Sequence, residues 1–148
     1  MSLIDNKKVF FNYEVLERYE AGIELLGVEV KALRAKHGSL EGSHVTVRGG
    51  EAYLIGATVN PYQAGNTPKS YDPVRHRRLL LTKDEIATLS AKESQKGLTI
   101  VPIAVYNKGR KLKVEIAVVK GKKTHDKRET LKKREAERDM MRDIKLTR

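Results

Sequence analysis

Thr99-Ile100-Val101-Pro102-Ile103-Ala104-Val105-Tyr106-Asn107-Lys108-Gly109-Arg110-Lys111-Leu112-Lys113-Val114-Glu115-Ile116-Ala117-Val118-Val119 reads as two strands folded back on each other. Strands over 99–106 and 111–119 flank a turn around Asn107-Lys108-Gly109. In the second strand Val114, Ile116 and Val118 share one face while Lys113 and Glu115 point the other way. A second hairpin stands upstream: Val45-Thr46-Val47-Arg48, then Gly49-Gly50, then Glu51-Ala52-Tyr53-Leu54-Ile55, with two glycines able to take positive φ in a tight turn. Residues 9–19 and 23–26 are further extended candidates, and Arg78-Leu79-Leu80-Leu81 reads as a short buried strand, apolar on both faces. Two helices interrupt the strands, over 28–35 and 83–96. In the second, Thr82 caps the N-terminus with Glu85 at the capping-box position, and Gly97 ends it. About six strands with a helix inserted between them predict a mainly β fold, a small closed antiparallel barrel of the OB type with two or three helices. A half-open sandwich is the alternative.

The chain has 148 residues, enough for one ordinary domain, with 30 Lys and Arg against 19 Asp and Glu for a net charge of +11. Aromatic residues make up only 5%, so the core is expected to be modest and aliphatic. No stretch approaches the roughly 20 apolar residues of a membrane span, and Met1-Ser2-Leu3-Ile4-Asp5-Asn6 lacks the pattern of a secretory signal, so a cytoplasmic protein with no membrane partner is expected. With no cysteine, disulfides, thiol nucleophiles and thiolate-held metals are excluded. A polyanion is the leading class of partner.

The charge is uneven. Residues 1–119 carry 18 Lys and Arg against 13 Asp and Glu, whereas 120–148 carry 12 against 6. That last segment has no aromatic residue, and its large apolar side chains are Leu131, Met140, Met141, Ile144 and Leu146, too few to offset its own ordering entropy. The chain therefore divides into a globular body, 1–119, and a basic tail, 120–148. The tail has no Gly or Pro from Thr124 to Ile144, and Glu129 stands four residues before Lys133. It is expected to be disordered when free and helical on an anionic surface.

Residues 60–77, with Pro61, Pro68 and Pro73, read as a long mobile loop. The loop ends in Arg75-His76-Arg77-Arg78, the densest basic cluster of the body; Arg75, Arg77 and Arg78 are candidate phosphate contacts, with a solvated loop end as the plain alternative. No catalytic constellation is visible. His37, His44, His76 and His125 are far apart, and Gly121-Lys122-Lys123-Thr124 lacks the first glycine of a P-loop. No cofactor and no enzymatic activity are expected.

Two stretches narrow the reading. The first is Tyr19-Glu20-Ala21-Gly22-Ile23-Glu24-Leu25-Leu26-Gly27-Val28-Glu29-Val30-Lys31-Ala32-Leu33-Arg34, and the second is Lys120-Gly121-Lys122-Lys123-Thr124-His125-Asp126-Lys127-Arg128-Glu129. Together they closely resemble the small protein B family, the SsrA-binding proteins of bacterial trans-translation. The resemblance covers about residues 6–135, with Asn6-Lys7-Lys8, Gly50-Glu51-Ala52-Tyr53-Leu54 and Asp72-Pro73 in the family's order.

The resemblance implies an RNA-binding adaptor, expected to act as a monomer, whose barrel grips the tRNA-like domain of transfer-messenger RNA and delivers it to stalled ribosomes. It implies RNA-binding positions at Asn6, Glu20 and Leu80. It places the tail function on Gly121, Lys122, Lys123, His125, Asp126, Lys127 and Arg128, which would enter the vacant decoding centre of the small-subunit rRNA and the mRNA channel. Asn6 offers donor and acceptor. Glu20 can accept from a base amino group or hold a neighbouring Arg, or it is a turn charge beside Gly22. Leu80 is as a residue type more often core than contact, and Gly121 permits close approach or an unusual φ. Phe11, Val28 and Ala32 depart from the family pattern. The rivals are a generic OB-type RNA binder, an RNA nuclease and a protein with a membrane-binding tail.

Overall fold

The computed structural model describes residues 2–62, 65 and 67–121. Its elements run β1 (Ser2–Asp5), α1 (Val9–Asn12), β2 (Tyr13–Ile23), α2 (Gly27–Arg34), β3 (Gly38–Ser39), β4 (His44–Arg48), β5 (Glu51–Ile55), β6 (Thr58–Val59), β7 (Arg77–Leu80), α3 (Lys83–Glu93), β8 (Leu98–Lys108) and β9 (Lys111–Gly121). A seven-stranded antiparallel sheet takes the order β1-β8-β9-β2-β7-β5-β4, and β3 pairs with β6 separately. Among the described residues the fold is mainly β with three helices. The sheet curls until β4 lies beside β8, but the described ladders leave it open at β1 and β4, so the closed barrel expected from the sequence is not confirmed.

Both hairpins form where their turns allow. Gly49 and Gly50 have φ of +58° and +75°, the pair of positive values that matches a two-residue turn to strand twist. β8 and β9 close on Gly109, at φ +63°, with Lys108 opposite Lys111. Their apolar runs are nearly continuous because both faces are covered. Ile100, Val105, Val114, Ile116 and Val118 join the main core with Leu33, Leu40, Leu54, Leu79 and Leu89. On the other face Val101, Ile103, Ala104, Ala117 and Val119 pack with Val9.

Pro102 lies inside β8, where it has no N–H to give the ladder. The register slips between Pro102 and Ala104. There Asn6 crosses: its backbone N–H donates to Ile103 O at 2.7 Å and its Nδ2 to Pro102 O at 3.1 Å and Leu40 O at 3.3 Å. A second slip between Val15 and Glu17 makes Leu16 the extra residue of β2, and it is 46% exposed.

Several elements differ from expectation for definite reasons. Residues 9–12 turn once as α1 before β2 begins, which drops Val9 onto the smaller core cluster. α3 starts at its capping box, Glu85 N–H to Thr82 Oγ1 at 3.2 Å and Thr82 N–H to Glu85 Oε1 at 3.0 Å. It ends at Glu93 rather than 96, the chain reversing at Gly97 with φ +84°. In β7, Arg77 and Leu79 are buried and Leu80 is exposed, so the strand is not apolar on both faces. The 60–77 loop is tied down along its second half, with Val59 N–H donating to Pro73 O at 2.9 Å.

Leu89 is the buried residue of α3 and has no solvent exposure. The Leu89→Ala variant is expected to lose about 2–5 kcal/mol of stability, measured as a lower urea midpoint at unchanged m-value. A loss under about 1 kcal/mol would mean that α3 is not anchored there.

Candidate nucleic-acid interface

Strand alternation decides which charges reach solvent. β7 pairs with β2 at Gly22↔Leu80 and Ile23↔Leu79. A Cβ on Gly22 would lie 3.1 Å from Leu80 Cβ, so the bare glycine lets Leu80 cross the strand beside it. Leu80 is 48% exposed. Arg78, on the same side, gives Nε to Glu51 Oε2 at 2.8 Å and Nη1 to Glu24 Oε1 at 3.1 Å. Leu80 and Arg78 thus share an outer face with Gly22 and Glu24.

Arg77 faces the other way. It is fully buried, and its guanidinium gives Nε to Glu29 Oε2 at 2.8 Å, Nη1 to Ala57 O at 2.9 Å and Nη2 to Pro73 O at 2.9 Å. Glu29, from α2, is equally buried and was not singled out by the sequence reading. It accepts from Leu26 N–H at 2.8 Å, Arg75 Nη2 at 2.5 Å and Tyr71 OH at 3.1 Å. Burial pushes the Glu29 carboxyl up, but the Arg75 hydrogen bond, the Leu26 N–H and the Arg77 charge outweigh it and hold the group below its ordinary value. The expected phosphate contact at Arg77 is therefore corrected: its side chain is enclosed and engaged. Arg75 is partly exposed, but its donors also go to Glu29 and to the carbonyl of Glu24. Only Arg78 of that trio stands on the outer face.

Asn6 is likewise an inside residue, 8% exposed, with its amide nitrogen committed to two backbone carbonyls. Glu20 is at the surface. It accepts from Lys108 Nζ at 2.8 Å and from the Tyr106 hydroxyl, both on β8, two strands away. The Lys108 bond, then the Tyr106 bond, hold its carboxyl below the ordinary value. Gly121 ends β9 opposite Tyr13, with open space at its Cβ position and no positive φ, so the unusual φ allowed for it is not used. Lys122, Lys123, His125, Asp126, Lys127 and Arg128 lie outside the described residues.

Two recesses adjoin these groups. A cavity of about 510 Å³ lies between the start of α2 and the loop, lined by Leu26, Gly27, Val28, Pro68, Tyr71 and Arg75. One of about 470 Å³ includes Lys8, Asn12, Tyr13, His44 and Thr99 and opens near the end of β9. Among the described residues no group of three or more His, Asp or Glu is placed to hold a metal ion, and no helix is long and apolar enough to cross a membrane. The arrangement suits binding: an Arg78 held by two carboxylates, an exposed Leu80 beside the bare backbone of Gly22, and tyrosine hydroxyls bonded to acidic side chains.

Comparison with known proteins agrees in kind. The family model described as SmpB protein matches residues 3–146. The SsrA-binding protein of Burkholderia thailandensis is 51% identical over 142 residues, 96% of each chain, and that of Paraburkholderia xenovorans is 49% identical over the same share. Among solved structures, a chain from "tmRNA-SmpB: a journey to the center of the bacterial ribosome" is 42% identical with a TM-score of 0.69, covering 81% of this chain and 84% of that one.

The Glu29 cluster generates a pH prediction. A carboxyl whose folded value is depressed contributes stability that is present above its unfolded value, about 4.3, and is lost as pH falls through the folded value. Glu29→Gln is expected to cost about 3–5 kcal/mol at pH 7, because Arg77 is left buried without its counter-charge. It should also flatten the fall in stability below about pH 4. Urea unfolding of both proteins between pH 3 and 7 tests this, and an unchanged acid limb in the variant would refute the assignment.

Proposed function

The chain belongs to the SmpB protein family, and from that membership we propose that it is the RNA-binding adaptor of trans-translation, not an enzyme, carrying transfer-messenger RNA to the stalled bacterial ribosome. The observation that carries this is the extent of the match. The family model runs over residues 3–146, through the body and the basic tail alike, and curated SsrA-binding proteins are half identical over 96% of the chain. A generic RNA-binding barrel has no reason to keep both parts.

The body is the part that grips RNA, through the tRNA-like domain. Arg78 and Leu80 on β7, with Glu20 on β2, are the accessible members of the expected set and lie on strands that pair through Gly22. Asn6 supports that surface from inside, by fixing β1 across the slip in β8. Arg75 and Arg77 support it through Glu29, which holds the loop in place behind β7. The proximity of β4 to β8 supports reading the curled sheet as an OB-like barrel.

The tail, 120–148, does different work. Its charge is too dense, and its apolar content too low, to serve as a core element. Phosphate oxygens of ribosomal RNA would neutralise Lys122, Lys123, Lys127 and Arg128 and give charge-assisted hydrogen bonds in return. His125 can stack on a base. On this reading the tail enters the vacant decoding centre and the mRNA channel while the body stays on the transfer-messenger RNA.

The division of labour is tested in the full-length chain. Replacing Asp126, Lys127 and Arg128 by alanine should leave affinity for the isolated tRNA-like domain within about twofold, since one net positive charge is removed outside the body. It should abolish alanine transfer to a stalled nascent chain in a reconstituted translation system. Loss of RNA affinity as complete as the loss of transfer would overturn the division.

A further inference from the structure

The end of α2 carries a backbone outlier. Among the described residues Lys36, at φ +64°, is the one other than glycine in the left-handed region. The hydrogen bonds around it are those of a Schellman cap: His37 N–H donates to Ala32 O at 2.8 Å and Lys36 N–H to Leu33 O at 2.9 Å. Glycine is the usual residue at that place, because a Cβ in this conformation is crowded. A lysine keeps a strain that glycine would remove, so its side chain has to be accounted for. Lys36 is exposed and forms no ion pair among the described residues. The residues that follow are held in place. Gly38, where a Cβ would lie 3.0 Å from both Leu33 Cδ2 and Thr58 O, lets β3 lie close against β6. Asn60 N–H donates to His37 O at 2.9 Å, one step beyond the Gly38↔Val59 pair. Two residues further on, the half-exposed Tyr62 ring meets the His37 ring at 5.5 Å between centroids, with the planes tilted by 59°.

We propose that Lys36, His37 and Tyr62 form a seat for one unstacked nucleotide, with its base on the Tyr62 ring, the His37 ring along the base edge and its phosphate on Lys36. The seat goes beyond the adaptor reading: none of the three belongs to the residues implied for it, and all stand beside the β3–β6 ladder, apart from the seven-stranded sheet. Rings tilted by 59° do not cover one another face to face, so the exposed Tyr62 ring keeps a face for a third ring. Stacking of that kind tolerates any base, because every base has a π face. The His37 imidazole offers an N–H donor in either protonation state. Lys36 supplies the charge for a phosphate, with no carboxylate bonded to it in competition. The cap and the ladder already hold the His37 backbone and Asn60, so little of the seat has to be ordered on binding. A base with a phosphate attached comes from an unpaired stretch of RNA or from a mononucleotide, and the two share this chemistry.

The test is an NMR titration of isotope-labelled full-length protein, in separate arms, with hexa-adenylate and with adenosine 5′-monophosphate. The amides of His37, Gly38, Asn60 and Tyr62 are followed, which separates this seat from RNA held by the tail. They should shift saturably. Tyr62→Ala should weaken the affinity read at these amides about tenfold. Lys36→Gly should weaken it several-fold and lower the salt slope for hexa-adenylate by about 0.7. The same variant should raise the urea midpoint, because glycine relieves the strain at this φ. A protein that becomes more stable and binds less well is the signature of a lysine kept for a ligand. Lys83→Ala, on α3, should change neither affinity nor slope. A response to hexa-adenylate alone assigns the seat to a nucleotide within an RNA strand, and an equal response to both probes assigns it to a mononucleotide. If neither probe moves these amides, or if Lys36→Gly is more stable and binds as the wild type does, the seat is refuted. The adaptor reading would stand in either case, since it is tested by the tRNA-like domain and by alanine transfer.

Discussion

The Glu29 carboxylate has no contact with solvent and lies between the guanidinium groups of Arg75 and Arg77. Taking such a group out of water is costly, and the attraction of two cations offsets that cost only if every oxygen is also hydrogen-bonded. Here they are. Oε1 takes Leu26 N–H and Arg75, and Oε2 takes Arg77 and Tyr71. The partners come from four places in the chain. The start of α2, the loop at Tyr71, the approach to β7 and β7 itself therefore meet at one point. Arg77 extends the link to Ala57 O, and Tyr71 extends it to Val59 O. The carboxylate thus does what a small aliphatic core cannot. It fixes a long, proline-containing loop to the body without burying much apolar surface.

That constraint sets the outer surface as well as the inner one. With Arg77 drawn inward, strand alternation sends Arg78 and Leu80 outward. Leu80 finds no side chain opposite because Gly22 is its partner, and the strand can carry an exposed leucine close to another backbone. The same principle operates at the hairpin end, where Glu20 links two β8 side chains across β9. In both places an acid inside a basic protein organises cations. One acid is buried and structural, and the other is exposed and available to salt.

How much of this was legible in the sequence depended on whether the deciding contact was local. The hairpins at Gly49-Gly50 and Gly109, the capping box of Thr82 and Glu85, and the helix near 28–35 all rest on neighbours within a few residues, and all of them formed. β1 was missed because Ser2–Asp5 is a strand only through its pairing with β8, a hundred residues away. The closed barrel was over-read for a related reason: strand count says nothing about whether the last ladder forms. The basic cluster misled most. Arg75, Arg77 and Arg78 look equivalent in a row, yet which one meets solvent is decided by the facing residue. For Arg77 that residue is Glu29, 48 positions earlier. A buried Glu in a helix that begins without a polar cap was the available signal, since Glu29 caps Leu26 N–H in place of the missing side chain.

Net charge alone therefore overstates what the body offers to an RNA. Arg18 is paired with Glu115, Lys8 with Glu41, Lys92 with Glu17, Arg78 with Glu24 and Glu51, and Arg75 and Arg77 with Glu29. These pairs keep positive charge near the surface but give part of each cation's hydrogen-bonding capacity to the protein. A phosphate approaching them has to compete with a carboxylate already in place, so they contribute to a diffuse attraction more than to a fixed contact. The stronger local field belongs to places where cations outnumber the acids within reach. In the body that is the β8–β9 turn, where Lys108, Lys111 and Lys113 share a face with Glu20. In the whole chain it is 120–148, with twice as many Lys and Arg as Asp and Glu. The two concentrations are separate in the sequence, at 108–113 and 120–148, and much of the remaining charge of the body is paired.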